Sequence, residues 1–526
     1  MSDTSPSRQF SVLDWLAGYQ KDWIRADVIA GVTAAAVVIP KAMAYATIAG
    51  LPVQVGLYTA FLPMLIYAVL GSSRPLSVST STTLAILAGA ELGEVAAGGD
   101  TASLLSVSAI LTLLVGIILV LAGLLRLGFV ANFISEPVLI GFKAGIGIVI
   151  VLDQLPKLLG LHPHKGPSFF LNLLELFKSI PNTSLTTLAV GAAMVIILVA
   201  MEHYAPRAPV PLIAVAVGII GMKILGLQSH GVEAVGHVPS GLPAFTWPDF
   251  SLAAKLWPGA MGIALMSFTE TIAAGRAFAK TGEPPPRPNQ ELLATGLANA
   301  GGAFLGAMPA GGGTTQTAVN RLAGAKTQLA ELVTAGMALL TMLLLAPLLA
   351  LMPQATLAAV VIVYSIGLIK PVEFRSILRV RRTEFIWALA ALIGVVVLGT
   401  LKGILVAIVI SLVALAHQVA DPPVQVLGRK RGTNIFRPLS AEHPDDETFP
   451  GLLLVRLEGR VFFANASRIG QKVRHLIGAS GPKIVAIDLS GVFDLEYTAL
   501  KALTEAEQRE REQGVLLWLV GLTPYV

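Results

Sequence analysis

The chain has 526 residues, no cysteine, 54% hydrophobic residues and only 13% charged ones. That charge density is about half the usual share for soluble globular proteins, which argues against an ordinary cytosolic enzyme and against disorder. The lack of cysteine excludes disulfides and thiolate chemistry, and a net charge of +5 is too weak a bias to imply nucleic-acid binding.

The charges are uneven. From Asp421 to Val526 the density is that of a soluble domain, whereas the preceding residues carry roughly one charge in ten. The chain therefore reads as a membrane domain followed by a smaller soluble one. Residues 1–20 are polar and mixed, with no apolar core or A-x-A site of a cleaved leader. Residues 1–24 are expected to form a cytoplasmic N-terminus.

A membrane-spanning helix needs about 20 apolar residues. Candidate spans lie near 28–47, 53–70, 78–92, 104–125, 131–152, 183–202, 208–227, 256–277, 290–308, 314–323, 328–347, 353–369, 384–400 and 402–419. Fourteen spans put both termini on one side. The amphipathic stretch 168–179 reads as interfacial. Basic residues collect in alternate loops, with Arg74, Arg126, Arg207, Arg287, Arg321, Lys326, Lys370, Arg375, Arg379, Arg381 and Arg382 on one side. The opposite loops hold few, among them Lys157, Lys165, Lys178 and Lys255, and the 91–100 loop is purely acidic, with Glu91, Glu94 and Asp100. The positive-inside rule then makes both termini cytoplasmic.

Two spans are too short, and both open on small or hydroxyl residues. The third begins Ser77-Val78-Ser79-Thr80-Ser81-Thr82-Thr83 and the tenth Gly311-Gly312-Gly313-Thr314-Thr315-Gln316-Thr317. Each is third in a seven-span half. Interrupted spans at matching places indicate inverted repeats, about 25–227 and 256–419, with a binding site between the broken helices. Their free N–H groups suit an anion. Ser/Thr and Gly also pack membrane helices closely without any site, but two hydroxyl-rich openings at equivalent positions favour the site.

Two ionisable residues fall in mid-span, where a charge costs about 3 kcal/mol or more unless it has a partner or a cavity. Lys41 lies in Ile39-Pro40-Lys41 of the first span and Glu270 in Thr269-Glu270-Thr271 of the eighth, the equivalent span. Glu270 is a candidate proton carrier. The plainer alternative is a structural Lys41–Glu270 ion pair.

These residues resemble a known family. Asp27 to Thr33, Ile39-Pro40, Met43-Ala44-Tyr45-Ala46, Ala49-Gly50-Leu51-Pro52, Gly56-Leu57-Tyr58 and Gly71-Ser72-Ser73-Arg74 are similar to the signature of the sulfate permease (SulP) family, which includes the SLC26 anion transporters. Asn289-Gln290-Glu291-Leu292, Gly296 to Asn299, Thr317 to Asn320 and Lys326 to Leu329 match as well. The resemblance implies an α-helical polytopic fold of seven-plus-seven inverted repeats over residues 25–420, split into core and gate domains. It also implies anions held between the third and tenth spans and moved by an elevator motion. Many members have Gly-Pro where this chain has Ser79-Thr80, Gln at position 41, and Arg near the start of the tenth span, where Gln316 stands. The site cation has thus moved between helices. Glu270 looks like the glutamate of proton-coupled sulfate symporters.

After an expected linker over 421–450, residues 451–464 read as two short strands, Lys483–Leu489 and Val515–Val520 as strands, and Glu496–Gln513 as a helix. The domain over 451–526 resembles the cytoplasmic α/β STAS domain of these transporters, which usually continues further. The expected function is secondary anion transport, coupled to protons, of a sulfate-like or dicarboxylate anion. Lys41, Tyr45, Ser79, Thr80, Ser81, Thr314, Thr315 and Gln316 are the candidate anion ligands and Glu270 the proton carrier. An uncoupled channel, a chloride/bicarbonate exchanger or a sensory protein are the alternatives. No enzyme activity, cofactor or metal is expected, since the membrane part has no nucleophile–base or metal-ligand cluster. The expected setting is a bacterial inner membrane, as a homodimer, with no nucleic-acid partner.

Overall fold

A computed structural model describes residues 13–16, 19–95, 101–129, 135–163, 169–205, 208–280, 283–524 and 526. Asp100, Lys165 and Arg207, used above for orientation, lie outside them. The chain divides into two compact units, Met1–Ser411 and Leu412–Val526.

The first half of the membrane unit runs α1 (Trp23–Ile48), α2 (Val53–Thr59), α3 (Leu62–Leu70), β1 (Val78–Ser79), α4 (Thr82–Val95), α5 (Thr101–Leu124), α6 (Glu136–Leu159), α7 (Phe169–Ser179), α8 (Leu185–Tyr204) and α9 (Val210–Ile224). The second half runs α10 (Ala253–Ala277), α11 (Pro288–Ala303), β2 (Gly311–Gly312), α12 (Thr314–Leu322), α13 (Leu329–Leu340), a π-turn at Thr341–Leu345, α14 (Ala346–Leu349), α15 (Gln354–Ile366), α16 (Pro371–Val380), α17 (Arg382–Leu398) and α18 (Thr400–Ala420).

Every expected span overlaps a helix. Seven helical stretches among the described residues are long and apolar enough, by length and composition alone, to cross a membrane. The others have physical reasons to fall short. Helices α4 and α12 are broken by the strands before them, and α10 and α11 carry buried polar side chains such as Ser267, Glu270, Glu291 and Asn299. The stretch expected to be interfacial is helix α7, which leaves Phe170, Leu174 and Phe177 exposed.

The helices form two groups. Helices α1, α3, α4, α5 and α10 to α13 pack on one another, while α6, α8, α15 and α17 pack together, and α1 meets α15 and α9 at the seam. Close approach explains particular glycines. A Cβ on Gly56 would sit 2.1 Å from the Ala42 carbonyl oxygen of α1, and one on Gly31 would sit 2.5 Å from that of Ala330, just inside α13.

The soluble unit is built on a five-stranded sheet. Strands β3 (Val424–Arg429), β4 (Phe436–Pro438), β5 (Leu452–Glu458), β6 (Ile484–Gly491) and β7 (Leu516–Val520) lie in the order β4-β3-β5-β6-β7. The last three run parallel and the first two antiparallel. Alternation along β5 points Leu453, Val455 and Leu457 into the core. Helix α19 (Ala466–Ser480) adds Ile469, Val473 and Ile477, one per turn, and α20 (Tyr497–Glu512) adds Ala499.

Three details differ from the sequence reading. The stretch 421–450 contributes β3 and β4 rather than only linking the units. Residues 451–464 hold one strand, because the chain turns at Gly459, whose φ is +86°. Helix α19 was missed, since its three core positions are spaced over a mostly polar run.

Candidate functional site

The two broken spans meet at their openings. Strands β1 and β2 pair antiparallel, with Val78 opposite Gly312 and Ser79 opposite Gly311. The gap expected between these openings is thus bridged by backbone. Irregular backbone inside a membrane protein must find partners within the protein, and each opening supplies them to the other. The Gly313 N–H donates to the Ser77 carbonyl at 2.9 Å. The glycine run allows contact with α10. A Cβ on Gly312 would lie 2.6 Å from Thr271 Cα, and one on Gly311 would lie 2.8 Å from Ser267 Oγ. Those two hydroxyls, one helical turn apart, stitch β2 to α10. Ser267 Oγ donates to the Ala310 carbonyl at 2.7 Å and Gly312 N–H donates to Thr271 Oγ1 at 2.9 Å.

The candidate ligands separate into two sets. Ser79, Thr80 and Gln316 are buried. Ser79 Oγ donates to Gln316 Oε1 at 2.9 Å, and Gln316 Nε2 donates to the Thr80 carbonyl at 3.3 Å. The side chains of Ser79 and Gln316 thus tie the two openings together, whereas Thr80 contributes its carbonyl and its own Oγ1 is buried without a partner. Ser81 is half-buried, and Thr314 and Thr315 are exposed on the first turn of α12. These three hydroxyls remain nearest to solvent, at the ends of α4 and α12 where unsatisfied N–H groups concentrate.

Glu270 lies on the face of α10 that carries Ser267 and Thr271. Its Oε2 accepts from Ser81 Oγ at 2.7 Å, and Ser81 Oγ in turn accepts from the Leu84 N–H at 3.2 Å. Tyr45 on α1 is buried and hydrogen-bonded to Thr82, the first residue of α4, within the field of Glu270. Lys41, one turn earlier on α1, is 1% exposed. Its Nζ sits 3.5 Å from the centroid of the Tyr364 ring on α15, across the seam between the helix groups. The Tyr364 hydroxyl is hydrogen-bonded to Glu202 near the end of α8, and the Glu202 charge acts on both Lys41 and Tyr364. Lys41 and Glu270 form no ion pair with each other. The simple structural pairing weighed from the sequence is therefore absent between these two described residues.

Three buried carboxylates escaped the sequence reading as structural groups. Asp27 accepts from Lys326 N–H at 2.6 Å, and from Thr327 through its N–H at 3.1 Å and hydroxyl at 2.6 Å. Glu291 accepts from the Tyr67 hydroxyl at 2.7 Å and from Ser72 through its N–H and Oγ. Glu331 Oε1 accepts from the Val78 N–H at 2.8 Å, and so fixes β1 from behind. All but one of their partners, Asn320 beside Glu331, lie more than 200 positions away in sequence, so only their presence within apolar stretches could have flagged them.

Known proteins agree with this architecture. A family model described as the sulfate permease family matches residues 24–391, and a STAS domain model matches residues 443–526. A "Probable sulfate transporter" of Mycobacterium tuberculosis is 35% identical over 503 residues, which are 95% of this chain and 89% of that protein. "Probable sulfate transporter 3.4" of Arabidopsis thaliana is 30% identical over 536 residues, covering 97% of this chain and 82% of its own. Among solved structures, the murine Solute Carrier 26 family member A9 anion transporter in the inward-facing state superposes with a TM-score of 0.90 at 24% identity, over 99% of this chain and 91% of that one. The transmembrane domain of the cyanobacterial bicarbonate transporter BicA gives 0.66 at 24% identity, over 74% of this chain and 98% of that one. The chain belongs to the sulfate permease family, a family of multi-pass membrane anion transporters, and carries a C-terminal STAS domain.

Proposed function

We propose that this sulfate permease family member is a secondary active transporter that moves a sulfate-like or dicarboxylate anion together with a proton, by an elevator motion of one helix group against the other. The observation that carries the reading is the 2.7 Å hydrogen bond from Ser81 Oγ to Glu270, at the junction of the two broken spans. An ionised Glu270 repels an incoming anion and occupies the Ser81 hydroxyl. Protonation removes the charge and frees Ser81 Oγ to turn to the substrate, so anion and proton favour each other's binding. Such coupling needs only about 1–3 kcal/mol to be effective.

In this reading Ser81, Thr314 and Thr315 donate to the anion, and Tyr45 lines the site. Ser79, Thr80 and Gln316 shape it from behind, and Lys41 supplies positive charge once it leaves the Tyr364 ring. The names of the bacterial and plant relatives support a sulfate-like substrate. The distribution of arginine and lysine supports cytoplasmic termini in a bacterial inner membrane, and the family resemblance supports a homodimer.

The test is proteoliposome uptake across a panel of labelled sulfate, bicarbonate and fumarate, with and without an inward proton gradient. Sulfate or dicarboxylate uptake should rise with the gradient, and Glu270→Gln should keep uptake while losing that acceleration. Acceleration undiminished in Glu270→Gln would remove Glu270 from the coupling. Flux set by voltage alone would make the protein a channel, and acceleration by chloride or bicarbonate on the opposite side would make it an exchanger.

A further inference from the structure

Lys41 is held from across the seam. It belongs to α1, in one helix group, and its Nζ lies 3.5 Å from the ring centroid of Tyr364 on α15, in the other. Lys41 is 1% exposed, and among the described residues its Nζ makes no hydrogen bond and no ion pair. An ammonium has three N–H donors, and burying it without acceptors is costly unless other groups compensate its charge.

That compensation comes from the second group. One part is the negative face of the Tyr364 ring. The other is Glu202, in the last turn of α8, which accepts from the Tyr364 hydroxyl and whose charge reaches Lys41. Helix α8 packs on α15, so Tyr364 and Glu202 lie on the same side of the seam. Nothing in α8 itself calls for an acid at that place, because the carbonyl end of a helix disfavours negative charge. On the side of Lys41, the Glu270 carboxylate is taken by Ser81 and does not pair with the ammonium.

This arrangement bears on movement. Sliding one helix group against the other breaks every contact across the seam. An empty carrier would pull a buried ammonium away from its ring and its carboxylate, with no ion pair on its own side to replace them. A carrier that holds an anion beside Lys41 keeps the charge matched within one group, and the ammonium can leave the ring.

We propose that Tyr364 and Glu202 form a latch that holds the empty carrier, and that the transported anion releases it by taking Lys41. They are positioning residues, acting through Lys41 without touching the substrate. The latch rests on the elevator reading given above and deepens it, because it makes return of the empty carrier the slow step of the cycle.

The experiment compares two fluxes in the same proteoliposomes, at equal pH on both sides and with the voltage clamped. One is net uptake of labelled sulfate, or of fumarate where the uptake panel selects it, at saturating concentration. The other is exchange into vesicles loaded with the same unlabelled anion. Net uptake needs the empty carrier to return, and exchange does not, so the wild type should exchange faster than it accumulates. Tyr364→Leu removes the ring and should raise net uptake about 10-fold, the order expected for a desolvated cation–π contact, with exchange unchanged. Tyr364→Phe and Glu202→Gln keep the ring and weaken its charge, and should raise net uptake less. Exchange in the same vesicles reports folded carrier. If Tyr364→Leu loses both fluxes, the two milder variants decide the matter. In a Lys41→Gln background, where the latch has nothing to hold, Tyr364→Leu should change the ratio of the fluxes no further. A ratio unmoved in the folded variants, or moved equally with and without Lys41, overturns the latch. So does wild-type exchange no faster than net uptake. Either result leaves the carrier standing, whereas flux set by voltage alone with no exchange would overturn the carrier itself.

Discussion

The buried carboxylates Asp27, Glu270, Glu291 and Glu331 of the membrane unit are held by other means than the carboxylates of the soluble sheet. In the membrane unit, Asp27, Glu270, Glu291 and Glu331 are buried, and their described partners are neutral hydroxyl, amide and backbone N–H donors. In the soluble unit, Asp446, Glu447, Asp488 and Asp494 each meet an arginine. A buried ion pair in a low-dielectric core must recover the desolvation of two ions, and removing either partner strands the other. Neutral donors recover the cost of one, and they also serve a protonated carboxyl, whose remaining oxygen still accepts. A carboxylate held this way can change its proton occupancy without stranding a charged partner. That property is the one the coupling proposed at Glu270 requires.

The comparison can be broken most forcefully at Glu291. Glu291→Ala leaves the Tyr67 hydroxyl and both Ser72 donors without an acceptor, at about 1–3 kcal/mol for each unsatisfied buried group. Folded yield in detergent should collapse. Glu291→Gln keeps an acceptor and should recover most of the thermal stability. Equal losses would mean that the charge, not the acceptor, matters there.

A smaller effect is expected at Asp488. Burial pushes its carboxyl up, yet hydrogen bonds from Ser490 and Arg456 outweigh this and hold it below the usual range. A depressed folded value means stability that is present above the unfolded value, about pH 4, and lost as pH falls through the folded one. Asp488→Asn should therefore destabilise the sheet by about 1.5 kcal/mol at pH 7, and the difference should vanish on acidification towards pH 2. Hydrogen exchange at β5 and β6 reads it directly. The smallest effect is at Arg460–Asp494, an exposed pair 2.8 Å apart. A double-mutant cycle there should give a coupling that shrinks with added salt, since exposed pairs are screened. A salt-independent coupling would blur the contrast between the units.

Much of this was legible in the sequence, because it depends on local pattern. The spans follow from runs of apolar residues, and the broken ones from their shortness and their Ser, Thr and Gly openings. The placement of Lys41 was not legible. Its mid-span position was evident, but its partner Tyr364 lies on another helix more than 300 positions away. Gln316 was read as an anion donor because it lies in the polar opening of the tenth span, and its turn inward to Thr80 depends on the β1–β2 pairing. Asp27, Glu291 and Glu331 were read as motif letters, or passed over, because hydroxyl partners leave no charge signature in a sequence. In the soluble unit, helix α19 was hidden by its polar composition, and only the sheet beneath it gives its three apolar positions a purpose.

The pairing of β1 with β2 has a bearing on ancestry. Each strand is two residues long, and its backbone is completed by the other half of the chain. Neither repeat can close its own opening. A primordial single-repeat protein with this architecture would have needed a second copy, inserted in the opposite sense, before either could exist as a finished structure. Carrying both repeats in one chain keeps them at one-to-one stoichiometry, so that each opening always has the other to pair with.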